Sequence, residues 1–143
     1  MKTQSLHPSH FSGSTVISFF ILSSFIKKIG ISQIRNKSLR QTAIIIRNAE
    51  ERGFRLFTPQ EDDLRGGAIS IGLPHAFSVK KALEQRGVKV DFRKGLEKEP
   101  DVIRVAPHFY TQDKEIKALF EEIDEILGKE EFKKYSSKIK DVT

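Results

Sequence analysis

Two short runs of β-branched residues, separated by a charged connection, constrain this chain more than any other feature of its sequence. Val88 and Val90 alternate with Lys89 and Asp91, and further on Val102, Ile103 and Val105 enclose Arg104. Branching at Cβ stiffens χ1 and suits a pleated, half-buried surface, so the pattern predicts two strands joined by an exposed connection. A guanidinium set among such neighbours either points to solvent or lays its stem over apolar surface and keeps its head in water. Arg104 is therefore the residue whose surroundings most need explaining.

The chain has 143 residues, of which 38% are hydrophobic and 31% charged, a balance that predicts a globular domain with a core rather than a disordered segment. It contains no cysteine, which excludes disulfides, thiolate nucleophiles and sulfur-ligated zinc. The net charge is +6, but from Lys94 to Lys140 the lysines are interspersed with acids instead of forming a block, which argues against nucleic acid as a partner. His7, His10, His75 and His108 have no metal-ligand spacing, and no serine, histidine and acid stand in a suggestive arrangement. No catalytic residue and no metal site is expected.

Residues 1 to 13 read as an extended lead-in. The apolar run Val16 to Ile26 is shorter than the roughly twenty residues of a spanning helix and ends at Lys27-Lys28, so it predicts a buried helix and no membrane span. A second helix follows from Ser32 to about Arg52, with Leu39, Ala43, Ile46 and Ala49 on its inner face and Gly53 as its stop. Strands are expected at Phe54 to Phe57 and Ala68 to Gly72, with Gly66-Gly67 a tight turn before the latter. Another helix is expected from His75 to Arg86, turned inward through Val79, Ala82 and Leu83 and ended by Gly87. After the strand pair, Gln112 to Leu127 places Ile116, Leu119, Phe120, Ile123 and Leu127 at helical spacing. Lys129 to Thr143 predicts a weak last helix or a frayed tail. The architecture expected is α+β, an antiparallel or mixed sheet with helices on one face, preceded by long helices.

The order Arg86-Gly87-Val88, Val90-Asp91-Phe92-Arg93, Pro100-Asp101, Ile103-Arg104-Val105-Ala106-Pro107 and Tyr110 resembles the C-terminal part of kynureninases, pyridoxal-phosphate enzymes of the aspartate aminotransferase fold type. Upstream, Ser12-Gly13-Ser14, Ile29-Gly30-Ile31, Ile34-Arg35 and Lys37-Ser38-Leu39 fit the same family in the same order, although Thr15 and Val16 stand where the family has two prolines. The resemblance implies the small C-terminal domain of a fold type I pyridoxal-phosphate enzyme. It further implies that residues 1–30 belong to the end of a large domain and a linker helix, 31–128 to the small domain and 129–143 to a charged tail.

In that family the corresponding arginine grips the α-carboxylate of the substrate, a role that falls on Arg104. The hydroxyl after the glycine helps to hold the cofactor phosphate, which points to Ser14, although a serine before an apolar helix also serves as an N-cap. The complete enzyme would hydrolyse kynurenine to anthranilate and alanine in tryptophan catabolism. The Schiff-base lysine and the carboxylate partner of the cofactor lie in the family's large domain, and no lysine here has that context. The expected partner is thus a large pyridoxal-phosphate-binding domain or subunit, in a cytoplasmic homo- or hetero-oligomer. Pro107-His108-Phe109-Tyr110 is also similar to other class V pyridoxal enzymes, such as desulfurases and epimerases, and a binding module that kept the fold without the chemistry is a further alternative.

Overall fold

In the computed structural model, residues 23, 24, 26–95 and 99–135 are described. The chain divides into two compact units, Met1–Arg35 and Asn36–Thr143. In the first, residues 26–29 are helical and the turn closes at Gly30, whose N–H donates to the Ile26 carbonyl at 2.9 Å. Gly30 has φ of 88°, a left-handed conformation that costs a glycine little. The apolar run expected to form a buried helix lies mostly outside the described residues.

Helix α1 (Ile31–Glu51) is followed by strands β1 (Arg55–Leu56) and β2 (Ile69–Gly72), helix α2 (Ala76–Gln85), strands β3 (Asp91–Arg93) and β4 (Val102–Val105), helix α3 (Asp113–Gly128) and a short 3-10 helix, Glu131–Tyr135. The four strands form one sheet in the order β1-β2-β4-β3, and every pairing is antiparallel. Ile69 stands opposite Val105, and Ile71 opposite Ile103. These four buried side chains meet Ile45 and Ala49 of α1, Val79 and Leu83 of α2, and Phe120 and Ile123 of α3 in one apolar cluster. Alternation along a strand sends every second residue to the opposite side. The other face therefore carries Ser70, Arg104 and Asp91 in one cross-strand row and Arg55, Gly72, Val102 and Arg93 in the next.

Both helices that precede strands end in the same way. At the end of α1, Gly53 N–H donates to Glu50 O and Phe54 N–H to Ala49 O, each at 2.9 Å. At the end of α2, Gly87 N–H donates to Glu84 O at 3.1 Å and Val88 N–H to Leu83 O at 2.9 Å. These are Schellman closures around glycines with φ of 68° and 79°. The second of them corrects the strand expected to begin at Val88. Its N–H completes the helix end, so Val88 and Val90 pack against the core without joining the ladder, and pairing starts at Asp91.

The inner face of α1 also differs from the expected one. Ala43 is exposed, and Gln41, Thr42, Ile45, Ile46 and Ala49 are buried. Polar residues enter this interface because each finds a partner: Gln41 Nε2 donates to Thr111 O at 2.7 Å, and Thr42 Oγ1 to Ser38 O at 2.9 Å. Thr42 Oγ1 in turn accepts from Nε of the buried Arg65 at 3.0 Å. In α3 the buried position near the end is Ile126, and Leu127 is only half-buried. For the segment after α3 a weak last helix or a frayed tail is expected, and over Glu131–Tyr135 it is a short 3-10 helix. There Phe132 stacks on His75 with ring centroids 4.2 Å apart, and Tyr135 O accepts from Ser78 Oγ at 3.1 Å. Arg86 ties α2 to this corner by ion pairs to Glu122, Glu125 and Glu131, and the Glu122 carboxylate in particular holds the guanidinium above its ordinary pKa.

Gly72 is required by a close approach. A Cβ built there would lie 2.7 Å from Cε2 of Phe57, whose ring also carries the Arg55 guanidinium at 4.5 Å from its centroid. Gly72→Ala must therefore displace Phe57, and a loss of about 1–3 kcal/mol is expected for such overpacking, read as a lowered urea midpoint. An unchanged midpoint would show that Phe57 moves aside freely.

Candidate functional site

β4 places Arg104 between two buried residues, Ile103 and Val105, and turns it to the face of the sheet opposite the helices. Its cross-strand neighbours are Ser70 on β2 and Asp91 on β3. Arg104 Nη2 donates to Asp91 Oδ2 at 2.7 Å, and Arg93 Nη2 lies 2.7 Å from the same oxygen. The three side chains are partly open to water, at 42% for Arg104, 40% for Asp91 and 57% for Arg93. Two cations share one carboxylate, which leaves the trio one positive charge in excess.

One atom of this arrangement is out of balance. Arg104 Nε is shielded from solvent and has no hydrogen-bond partner among the described residues. A buried donor left in that state costs about 1–3 kcal/mol. Few buried polar atoms in a folded protein are unpaired, and those that are call for an explanation in function or strain.

The loop after β4 is held from α1. Lys37 Nζ donates to Phe109 O at 2.6 Å, Gln41 Nε2 bonds Thr111 O and also Asp113 Oδ1 at 3.3 Å, and Arg40 pairs with Asp113 at 3.2 Å. Glu115 accepts from the Gln112 N–H at 2.6 Å, and Asp113 and Glu115 add negative charge in the first turn of α3, where it favours the helix dipole. His108 is exposed in this loop and stacks on Tyr110, itself 70% exposed, with centroids 4.2 Å apart. His75 has φ of 55° and lies at the start of α2, beside a hollow of about 410 Å³ lined also by Pro74, Phe77 and Asp101. A smaller hollow of about 200 Å³ lies between Val90, Pro107 and Leu119.

Ser14, the position singled out for the cofactor phosphate, lies outside the described residues. Asp91 and Arg93 did not emerge from the sequence as site residues. Their signal was the i, i+2 spacing in Val90-Asp91-Phe92-Arg93, which places both on one face of a strand that pairs with Arg104. Among the described residues no cluster of three or more histidine, aspartate or glutamate side chains could hold a metal ion, and no helix is long and apolar enough to cross a membrane.

The same fold is seen in the cysteine desulfurase of Thermococcus onnurineus, which superposes with a TM-score of 0.66 at 16% identity over 74% of this chain and 29% of that one. It is likewise seen in the 8-amino-7-oxononanoate synthase of Francisella tularensis, with a TM-score of 0.57 at 16% identity over 82% of this chain and 32% of that one. The class defined by the four-stranded antiparallel sheet and its helices is thus an α+β domain of the fold found within these two larger enzymes. The family is narrower than the fold. Residues 34–123 match the kynureninase C-terminal domain, and the chain belongs to that family. It is similar to the kynureninase of Geobacillus thermodenitrificans, with 33% identity over 116 residues, 78% of this chain but 26% of that protein. The chain therefore spans about a quarter of the length of that relative.

Proposed function

We propose that this chain supplies the substrate-carboxylate side of a kynureninase active site, in an enzyme that hydrolyses kynurenine to anthranilate and alanine. The observation that carries the reading is Arg104 itself: a half-exposed guanidinium on the open face of the sheet, within the family motif, with a donor left unpartnered. A planar guanidinium can present two parallel N–H groups to a carboxylate, and so fixes the direction of the bound amino acid as well as its charge. Anchoring one end of the substrate sets its reacting carbons against a catalytic group elsewhere.

The ladder residues on the Arg104 face are arginines, an aspartate, a serine, a glycine and a valine, with no lysine among them. That face suits an anionic substrate group and offers no amine for a Schiff base. Pyridoxal phosphate, the cofactor implied by the family, would serve as the electron sink when bound, held by a larger domain or subunit. Ser14 would contribute to its phosphate site. In this reading residues 1–30 are the end of the large domain and a linker helix, 31–128 the small domain and 129–143 a charged tail, working in a cytoplasmic oligomer.

Co-expression tests the reading. The G. thermodenitrificans kynureninase, shortened by the C-terminal quarter that matches this chain, is produced with and without it, and anthranilate is followed by its fluorescence. Anthranilate formation that requires both polypeptides is the expected result. A stable complex that forms no anthranilate would overturn the assignment in favour of a binding module, and so would no association at all.

A further inference from the structure

The carboxylate reading leaves Asp91 unexplained, since it occupies the very group that a substrate would need. Three observations bear on it. Arg104 Nη2 is bound to Asp91 Oδ2 at 2.7 Å, while its Nε is shielded and unpartnered. Arg93 holds the same oxygen at the same distance. All three side chains keep about half of their surface in water, so none is locked in place by packing.

An arginine placed this way is parked. One terminal amino group is satisfied, and the conformation that satisfies it hides Nε from both water and ligand. The arrangement is held by an exposed ion pair, the weakest kind, and opposed by the orphaned donor. If Arg104 turned away from a lone aspartate, it would leave a carboxylate unpaired. Arg93 removes that cost, because Asp91 keeps a partner when Arg104 leaves. We propose that Asp91 parks Arg104 in the empty site and hands it over to an incoming carboxylate, with Arg93 remaining on Asp91 to make the exchange nearly even. The proposal rests on the carboxylate role of Arg104 and makes Asp91 and Arg93 its positioning residues.

The exchange can be followed in the complex of this 143-residue chain with a kynureninase large domain kept free of pyridoxal phosphate, so that L-kynurenine is bound and not consumed. The Nε–H signals of the arginine side chains are recorded by nitrogen-15 NMR, that of Arg104 is assigned by its loss in Arg104→Lys, and L-kynurenine is titrated in. Wild type is compared with Asp91→Asn, Arg93→Gln and the double variant, each checked for an unchanged melting temperature. Asp91→Asn removes the competitor, and the apparent Kd read from Arg104 is expected to fall about two- to fivefold, the range of an exposed ion pair. Arg93→Gln is expected to raise it by a similar factor.

Net charge alone predicts the same two directions, so the double variant decides. Hand-over through Asp91 requires that Arg93→Gln lose its effect once Asp91 is asparagine. An effect of the same size in both backgrounds would overturn the hand-over and leave the carboxylate role standing. Weaker binding in Asp91→Asn would also overturn it, by making Asp91 a support instead of a competitor. An Arg104 signal that L-kynurenine moves in none of the four proteins would overturn the carboxylate role itself.

Discussion

Replacing Phe120 with alanine is expected to lower the unfolding free energy by about 3–5 kcal/mol. Phe120 is completely buried and is the largest side chain of the core. It lies on α3 in the cluster that joins the three helices to the sheet, so the cavity left by its ring would open where every element meets. The Arg52 guanidinium also rests over this ring, 5.1 Å from its centroid, and donates to Asp124 at 2.7 Å. The hydrogen bond to Asp124 holds Arg52 above its ordinary pKa and keeps it in place, so it cannot readily collapse into the space. Domains of this size have stabilities on the order of 5–15 kcal/mol, so the loss would take at least about a fifth of the total. Urea unfolding followed by circular dichroism measures the loss. A value under about 1 kcal/mol would mean that α3 does not close the core.

The second large effect concerns recognition. In the enzyme reconstituted from this chain and a kynureninase large domain, Arg104→Lys is expected to raise KM for kynurenine roughly 10- to 100-fold, with a smaller change in kcat. Lysine keeps the charge but offers a point donor in place of a planar fork. A hydrogen bond to a charged group is worth about 1.5–3 kcal/mol, which converts to that range. Because Arg104 is half-exposed and Ile103 and Val105 carry the packing at this point, the melting temperature should hardly move. Steady-state anthranilate formation checks the prediction, and an unchanged KM would remove Arg104 from the substrate site.

The sequence disclosed most where one signal decided the structure. In α3 the spacing of Ile116, Leu119, Phe120 and Ile123 admits a single buried stripe, and that stripe is buried. In α1 it did not. Ala43 is neutral between core and surface, while Gln41 and Thr42 become interior only because Thr111 and Ser38 supply carbonyl acceptors, one of them distant in the chain. Val88 has every local reason to begin a strand, but the Schellman closure of α2 takes its N–H first. Around Phe132 and Tyr135 the sequence leaves a weak helix and a frayed tail both open, because the partners that hold the segment, His75 and Ser78, lie far back in the chain.

The same division holds at the candidate site. Arg104 stood out because it interrupts an apolar run. Asp91 and Arg93 belong to another strand, and only the register of β3 against β4 brings them to it.

That register carries a consequence for folding. Sliding β4 by one position against its neighbours would exchange Arg104 with Ile103 or Val105 and thrust a guanidinium among Ile71, Phe120 and Ile123. Burying an unpaired charge in hydrocarbon is far costlier than the loss of a few ladder bonds, so the misaligned sheet is ruled out by the residue proposed to hold the substrate. Arg104 would then act as a proofreader of strand alignment. Uncharged replacements such as Arg104→Leu would free the chain to sample slipped pairings, which would broaden the NMR signals of β4 while the native contacts remained available.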